Sequence, residues 1–232
     1  MPRGPTSRHV ACRVGTQLVV HTFRCADSVL VWDPETRALR EQQTSGPAPS
    51  SRGLHVAAAA DEHTMIVFGG AAKDGSMCND AFALDTRTWQ WRTLATEGAK
   101  NDKTRGGIGE LLTKLFGGGR DGGDSTRPTP RAGACAASLP GGERGIVVAC
   151  GAEAGLTGLV PRADVWALVL DDGESADGTW TRLMADDAPN APAPRNAATL
   201  TPLGDGETLL LHGGWHPFVR TFGDSFILRI HA

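Results

Sequence analysis

Three short stretches decide the reading: Pro49-Ser-Ser-Arg52-Gly-Leu-His55, then Ile66-Val-Phe-Gly69-Gly70, then Asn79-Asp80-Ala-Phe-Ala-Leu-Asp85-Thr-Arg-Thr88-Trp-Gln-Trp91. The pattern returns twice downstream. Pro128-Thr-Pro-Arg131 leads to Val147-Val-Ala-Cys-Gly151-Ala152, then Ala163-Asp164-Val-Trp-Ala-Leu, then Gly178-Thr-Trp180. Pro192-Ala-Pro-Arg195 leads to Leu210-Leu-His-Gly213-Gly214 and then Phe222-Gly-Asp224-Ser-Phe-Ile-Leu. A fainter copy opens the chain, with Pro5-Thr-Ser-Arg8, His21 before Thr22-Phe23 in place of the diglycine, and Leu39 in place of the late Trp. Fixed-order repetition of this length is the signature of a repeat architecture.

The arginines at 8, 52, 131 and 195 are spaced 44, 79 and 64 residues apart. The shortest interval is a bare repeat, and the other two carry insertions. Segment 97–127 is polar and rich in Gly and Asp, 171–178 reads DDGESADG, and 185–192 lengthens a junction.

Each repeat reads as short strands. First strands follow the arginines (9–14, 55–60, 132–139, 196–203). Second strands run to the diglycine position (17–22, 64–69, 145–150, 207–212). Third strands carry an aromatic (28–33, 81–85, 164–170, 225–230), and fourth strands carry the late Trp (88–94, 179–184). Gly204-Asp-Gly206 is a strong hairpin signal. Runs such as IVVAC and LLL are continuous rather than alternating, as in strands covered on both faces. Four antiparallel strands repeated radially form the blade of a β-propeller.

P-x-x-R, Gly-Gly after an apolar strand, N-D before an aromatic strand and D-x-x-T-x-x-W together resemble the kelch repeat. The resemblance implies an all-β, kelch-type β-propeller of about four four-stranded antiparallel blades, a small or partial ring. The blades fall near 5–46, 47–98, 128–185 and 192–232 of a single domain spanning 1–232, with an insertion at 99–127. The resemblance also implies a module that binds other proteins. One departure is that His stands three residues after the arginine only at His55; Ala11, Ala134 and Ala198 stand there otherwise. The last repeat also shows no fourth strand.

Arg8, Arg52, Arg131 and Arg195 are read as architectural, each guanidinium donating to carbonyls or to the Asp of a following turn. Gly69, Gly70, Gly213 and Gly214 permit backbone angles closed to other residues. Trp91 and Trp180 supply apolar area between blades. Within the insertion, Ile108, Leu111, Leu112, Leu115 and Phe116 recur at helical spacing, which predicts one short helix over 107–117, either capping the rim or docking a partner.

The rest of the composition narrows the function. The chain has 232 residues, with 30 Gly and 14 Pro, as expected of short strands and many turns. With 23 Lys+Arg against 26 Asp+Glu, the net charge of −3 argues against nucleic acid or an anionic membrane as a partner. No stretch is apolar enough for a membrane helix, and the N-terminus MPRGPTSRHV has no apolar signal region, so a cytoplasmic protein is expected. The five cysteines form no C-x-x-C pair, so neither a zinc site nor a disulfide framework is expected.

His212 and His216 are four apart, but across a strand end and a turn, so no metal is expected there. Asp102 precedes Lys103 where a phosphate loop needs Gly, so no nucleotide cofactor is expected. Tyr is absent, and no Glu starts the pattern E-x-x-x-D-x-x-x-H. Kelch-like copper oxidases use tyrosine ligands, and kelch-like iron lyases carry that second pattern. No catalytic constellation emerges. The expectation is therefore a noncatalytic interaction scaffold binding partners through loops on one propeller face. The alternatives are a kelch-fold enzyme or the substrate-receptor part of a larger regulatory protein.

Overall fold

The computed structural model describes residues 7–25, 27–98, 126–171 and 177–230, and all statements below concern these. Their regular structure is entirely β-strand. The helix expected over 107–117, with Ile108, Leu111, Leu112, Leu115 and Phe116, lies outside the described residues.

The first blade is β1 (Val10–Val14), β2 (Gln17–His21), β3 (Ser28–Asp33) and β4 (Ala38–Gln43), paired in chain order. A short β5 (Arg52–Gly53) precedes the second blade, which comprises β6 (Val56–Ala59), β7 (Thr64–Phe68), β9 (Ala81–Asp85) and β10 (Gln90–Thr93); β8 (Ala71–Ala72) pairs with β5. After β11 (Ala95–Gly98) comes the third blade: β12 (Cys135–Ser138), β13 (Gly145–Ala149), β16 (Val165–Leu170) and β17 (Asp177–Met184). A hairpin of β14 (Ala152–Gly155) and β15 (Gly158–Pro161) interrupts it. The fourth blade has three strands, β18 (Thr199–Pro202), β19 (Thr208–His212) and β22 (Ser225–Arg229). Its own hairpin is β20 (Trp215–His216) with β21 (Arg220–Thr221). First strands of successive blades adjoin, so β1, β6, β12 and β18 line the hub in that order.

Within each blade the pairing is antiparallel. The antiparallel expectation fails at the rim, because β11 runs parallel to β17, with Ala95 opposite Asp177 and Gly98 opposite Trp180. The same device recurs one blade earlier. Ser45 forms a parallel bridge to Gln90, and the Trp91 amide donates to the Ser45 carbonyl at 2.7 Å. Gly46 at φ 80° completes that contact, since a Cβ there would run into the Trp91 carbonyl. The chain leaving one blade's outer strand thus straps the outer strand of the next before turning to the hub.

The core lies between blades, where the forward face of each packs on the back face of the next. Val56, Ala58, Ala81 and Ala83 of blade 2 meet Ile146, Val148, Trp166, Leu168 and Trp180 of blade 3. Cys135, Ala137, Ala149 and Ala167 of blade 3 meet Leu200, Leu209 and Leu211 of blade 4. Met65, Val67, Phe82, Leu84 and Trp91 of blade 2 meet Val19, Val29 and Val31 of blade 1. Alternate positions along one strand serve two different interfaces, which explains the unbroken apolar runs.

Trp91 is 3 % exposed and Trp180 1 %, at equivalent positions opposite Leu84 and Leu168. Trp91 meets the His21 ring edge-on at 5.6 Å between centroids, and Trp180 meets Phe68 at 5.0 Å. Trp91→Ala or Trp180→Ala is expected to cost about 3–5 kcal/mol, measured by urea unfolding; a loss under about 1 kcal/mol would contradict this packing.

Candidate functional site

Three arginines build the same cradle. The Arg131 guanidinium donates to both carboxylate oxygens of Asp164 (2.5 and 2.9 Å), to the Cys150 carbonyl (3.0 Å), and to the Thr129 carbonyl and hydroxyl. Arg195 binds Asp224 bidentately, the Gly213 carbonyl at 3.0 Å and the Ala193 carbonyl at 2.9 Å, and lies over the Phe222 ring. Arg52 does the same with Asp80, the Gly69 carbonyl, and the Ser50 carbonyl and hydroxyl. A planar fork with five donors reaches five oxygens at Arg52 and Arg131 and four at Arg195, in a way no lysine does.

Arg8 does not belong to this set. The register pairs Val10 with His21 as Val56 pairs with Phe68, which makes Arg8 the counterpart of Leu54 and not of Arg52. Backbone angles agree, with φ of 54° at Arg8, 57° at Leu54, 63° at Gly133 and 51° at Ala197. Ser28 stands where the later blades have Asp80, Asp164 and Asp224, and its hydroxyl donates to Glu41 at 2.7 Å. The first blade therefore lacks both halves of the cradle. The faint opening repeat led the sequence reading astray by two residues, because a Pro-x-x-Arg string happens to recur there.

A one-residue correction applies to the third repeat. Cys135 pairs with Ala149, as Val56 pairs with Phe68 and Thr199 with His212. The diglycine position is thus Cys150-Gly151, with φ of 61° and 93°, against 66° and 97° at Gly69-Gly70 and 69° and 92° at Gly213-Gly214. The second residue of the pair must be Gly: a Cβ at Gly70 would lie 2.8 Å from the His55 Cβ, and one at Gly214 2.7 Å from the Asn196 carbonyl. The close approach lets the Gly70 and Gly151 amides reach the Arg131 and Arg195 carbonyls of the next blade, at 2.8 and 3.0 Å.

The cradle holds the base of the loop joining second and third strands. Gly53 pairs with Ala71, Ala132 with Ala152 and Asn196 with Trp215. Second strands run the same way in every blade, so these loops all emerge on one face. In blades 3 and 4 they are hairpins, and their tips are apolar. Leu156 is fully exposed, Phe218 is 98 % exposed and Val219 is also exposed, while Leu159, Val160 and Trp215 are more than a third exposed. Leu54 adds an exposed side chain nearer the hub. The opposite face differs: a hollow there is charged, lined by Asp61, Glu62, Asp85, Arg87, Arg92 and Arg144, with Arg144 bound to Asp61 at 2.8 Å.

None of the apolar tip residues was singled out from the sequence. The signal was there in Gly155-Leu-Thr-Gly158 and Trp215-His-Pro-Phe218-Val219, apolar residues inside turn-forming segments.

Titratable groups follow the cradle. Burial alone would raise the Asp164 carboxyl, but hydrogen bonds and charge from Arg131, with the Trp166 indole N–H at 2.7 Å, hold it below the ordinary value. The Asp224 carboxyl is also lowered, first by its bond to Arg195. Burial pushes the Cys12 thiol up to about 12; Cys135 is raised by its bond to Cys150 and by burial, so neither is a ready nucleophile. His212 bonds the Ser225 hydroxyl and His216 the Pro217 carbonyl. No group of three or more His, Cys, Asp or Glu able to hold a metal occurs among the described residues.

One polar pair sits in the core between blades 1 and 2. His21 Nδ1 and His55 Nε2 lie 2.9 Å apart, both side chains buried, and His55 Nδ1 has no partner. Burial, mutual repulsion and the Arg52 charge lower His21 to about 3. Burial and Arg52 lower His55 to about 4.

Strands repeated in this order, with the hub entries of blades 2, 3 and 4 fixed by an Arg–Asp cradle, define a β-propeller of kelch type. The KLHDC2/KLHL20/DRC7 Kelch-repeats domain matches residues 8–232, and the chain belongs to that family. Kelch domains generally mediate protein–protein interactions.

Two outcomes follow from the buried charges. Arg131→Ala leaves the Asp164 carboxylate buried and unpaired, and is expected to cost about 3–5 kcal/mol. Arg52→Ala should cost less, because the Asp80 side chain is 42 % exposed. Chemical unfolding of both variants tests the order.

The histidine pair sets a pH window. Both folded values lie below the ordinary 6.5, so between about pH 6.5 and 4 the unfolded chain binds protons that the folded chain refuses. Stability therefore falls as pH drops through that window, by up to about 1.4 kcal/mol per pH unit for each histidine. His21→Phe with His55→Ala, the residues found in sibling blades, should flatten the slope when melting is followed from pH 7 to 4.

Proposed function

We propose that this chain is a noncatalytic interaction module that binds partner proteins through the loop face of its propeller. One observation carries the reading: exposed apolar side chains gather at the tips of two anchored hairpins, with Leu156 at one and Phe218 and Val219 at the other. An exposed apolar group on a braced loop loses little conformational entropy on binding and gains the full burial term, roughly 1.5–3 kcal/mol per large side chain. The charged hollow on the opposite face lacks this character, since its carboxylates and guanidinia already neutralise one another. A cytoplasmic setting suits the reading, because buried thiols such as Cys135 and Cys150 are kept reduced there.

The test is a Leu156→Asp/Phe218→Asp double variant. Both positions are exposed, so folding and thermal stability are expected to stay within about 0.5 kcal/mol of the parent. Affinity purification with quantitative mass spectrometry should show partners of the parent lost by the variant, while surface variants in the Asp61–Arg144 hollow retain them. An unchanged partner set would refute the loop-face reading.

A further inference from the structure

We propose that Ser50 is a phosphorylation site whose phosphate takes the Arg52 guanidinium from Asp80 and so unfastens the loop at 71–79. The inference rests on the Arg52 cradle and not on which partner the loop face binds. Ser50 is exposed and stands just before β5, in the irregular segment that holds Pro47 and Pro49. Its hydroxyl accepts from Arg52 Nη2 at 2.9 Å and its carbonyl from Nε at 3.1 Å. The guanidinium thus already lies against the residue that would carry the phosphate. A protein kinase would transfer the γ-phosphoryl group of ATP. A bond forms from Ser50 Oγ to phosphorus, and the bond from phosphorus to the bridging oxygen breaks. ADP leaves with that electron pair, and the hydroxyl proton passes to the kinase's base.

Of the three cradles, only that of blade 2 has both parts such a switch needs. Ala193 takes the place of Ser50 in blade 4 and has no hydroxyl. Thr129 supplies one in blade 3, bonded to Arg131 at 2.9 Å, but Thr129 is half-buried and the Asp164 side chain is 4 % exposed. A phosphate at Thr129 would strand that carboxylate in the core, where it also accepts from the Trp166 indole. The Asp80 side chain is 42 % exposed, so water takes it over when Arg52 lets go.

Charge decides the exchange. A phosphoserine carries about −1.5 to −2 near neutral pH, more than a carboxylate, and presents three acceptor oxygens. Beside Arg52 it gains charge-assisted bonds, and at the same time it repels Asp80. Backbone bonds at the loop base are untouched: the Gly69 amide still donates to the Asp80 carbonyl and the Cys78 amide to the Gly70 carbonyl. What opens is the side-chain tie between the hub entry and the start of the third strand. The loop bearing the exposed Lys73 and Asp74 is then held by backbone alone at that end.

Phosphoserine placed at position 50 of the whole chain by a suppressor tRNA is the probe. In a phosphorus-31 NMR titration its second pKa should lie about 1 pH unit below that of the same residue in the urea-unfolded chain, because Arg52 favours the dianion. Amide exchange at Cys78 and Asn79 should quicken roughly tenfold while β13 keeps its rate. Asp80→Asn should quicken the same amides by itself, and adding phosphoserine to that variant should quicken them no further. In the cells that make the protein, with phosphatases inhibited, the tryptic peptide of residues 41–52, EQQTSGPAPSSR, should carry phosphate at Ser50. An unshifted pKa, unchanged exchange at Cys78 and Asn79, a phosphorylated chain that circular dichroism shows unfolded, or a peptide without phosphate at Ser50 would overturn the proposal.

Discussion

A guanidinium fork held on four or five oxygens is the constraint from which the rest of this propeller follows. It ties the hub entry of a blade to the end of its second strand, through the Gly69, Cys150 or Gly213 carbonyl, and to the start of its third, through Asp80, Asp164 or Asp224. Once those points are fixed, the loop between them leaves the sheet at one place and in one direction. Charge-assisted bonds at such short range have little angular freedom, so the geometry propagates from blade to blade. The net energy of a buried pair is small, and its value lies in excluding other arrangements.

The fold was legible because the repeat spells out a pattern of close approaches. Diglycine is a statement about φ and about a missing Cβ, and Asp-x-x-Thr-x-x-Trp places a large ring one turn past a tight bend. These are local constraints that a linear string can carry. Interfaces between blades were partly legible too, as continuous apolar runs in place of alternating ones.

What stayed hidden has physical reasons. The offset at Arg8 could not be seen, because only strand register shows that Val10 takes the place of Val56. Cys150 in a glycine's conformation was masked by the glycine beside it. The rim straps rest on backbone bonds from Ser45 and from Ala95–Gly98, which carry no side-chain signature. The apolar crown of Leu156, Phe218 and Val219 required knowing that two loops far apart in sequence leave the same face.

Those straps make the blade boundaries unequal. Blades 1 and 2, and blades 2 and 3, are joined at hub and rim alike. Between blades 3 and 4 the hub bonds remain, from Gly151 to Arg195 and from Ala197 to Gly133, but the connecting segment turns inward at Asp186, whose carboxylate accepts from the Ala163 and Asp164 amides. Blade 4 keeps its apolar packing on blade 3 through Leu200, Leu209 and Leu211, but without a rim strap it is the less fastened neighbour, and local opening starts in such units. Amide protons of β19 and β22 then exchange through a smaller opening than those of β7 and β13, and the chain carries a graded scale of local unfolding set by where its backbone happens to cross the rim.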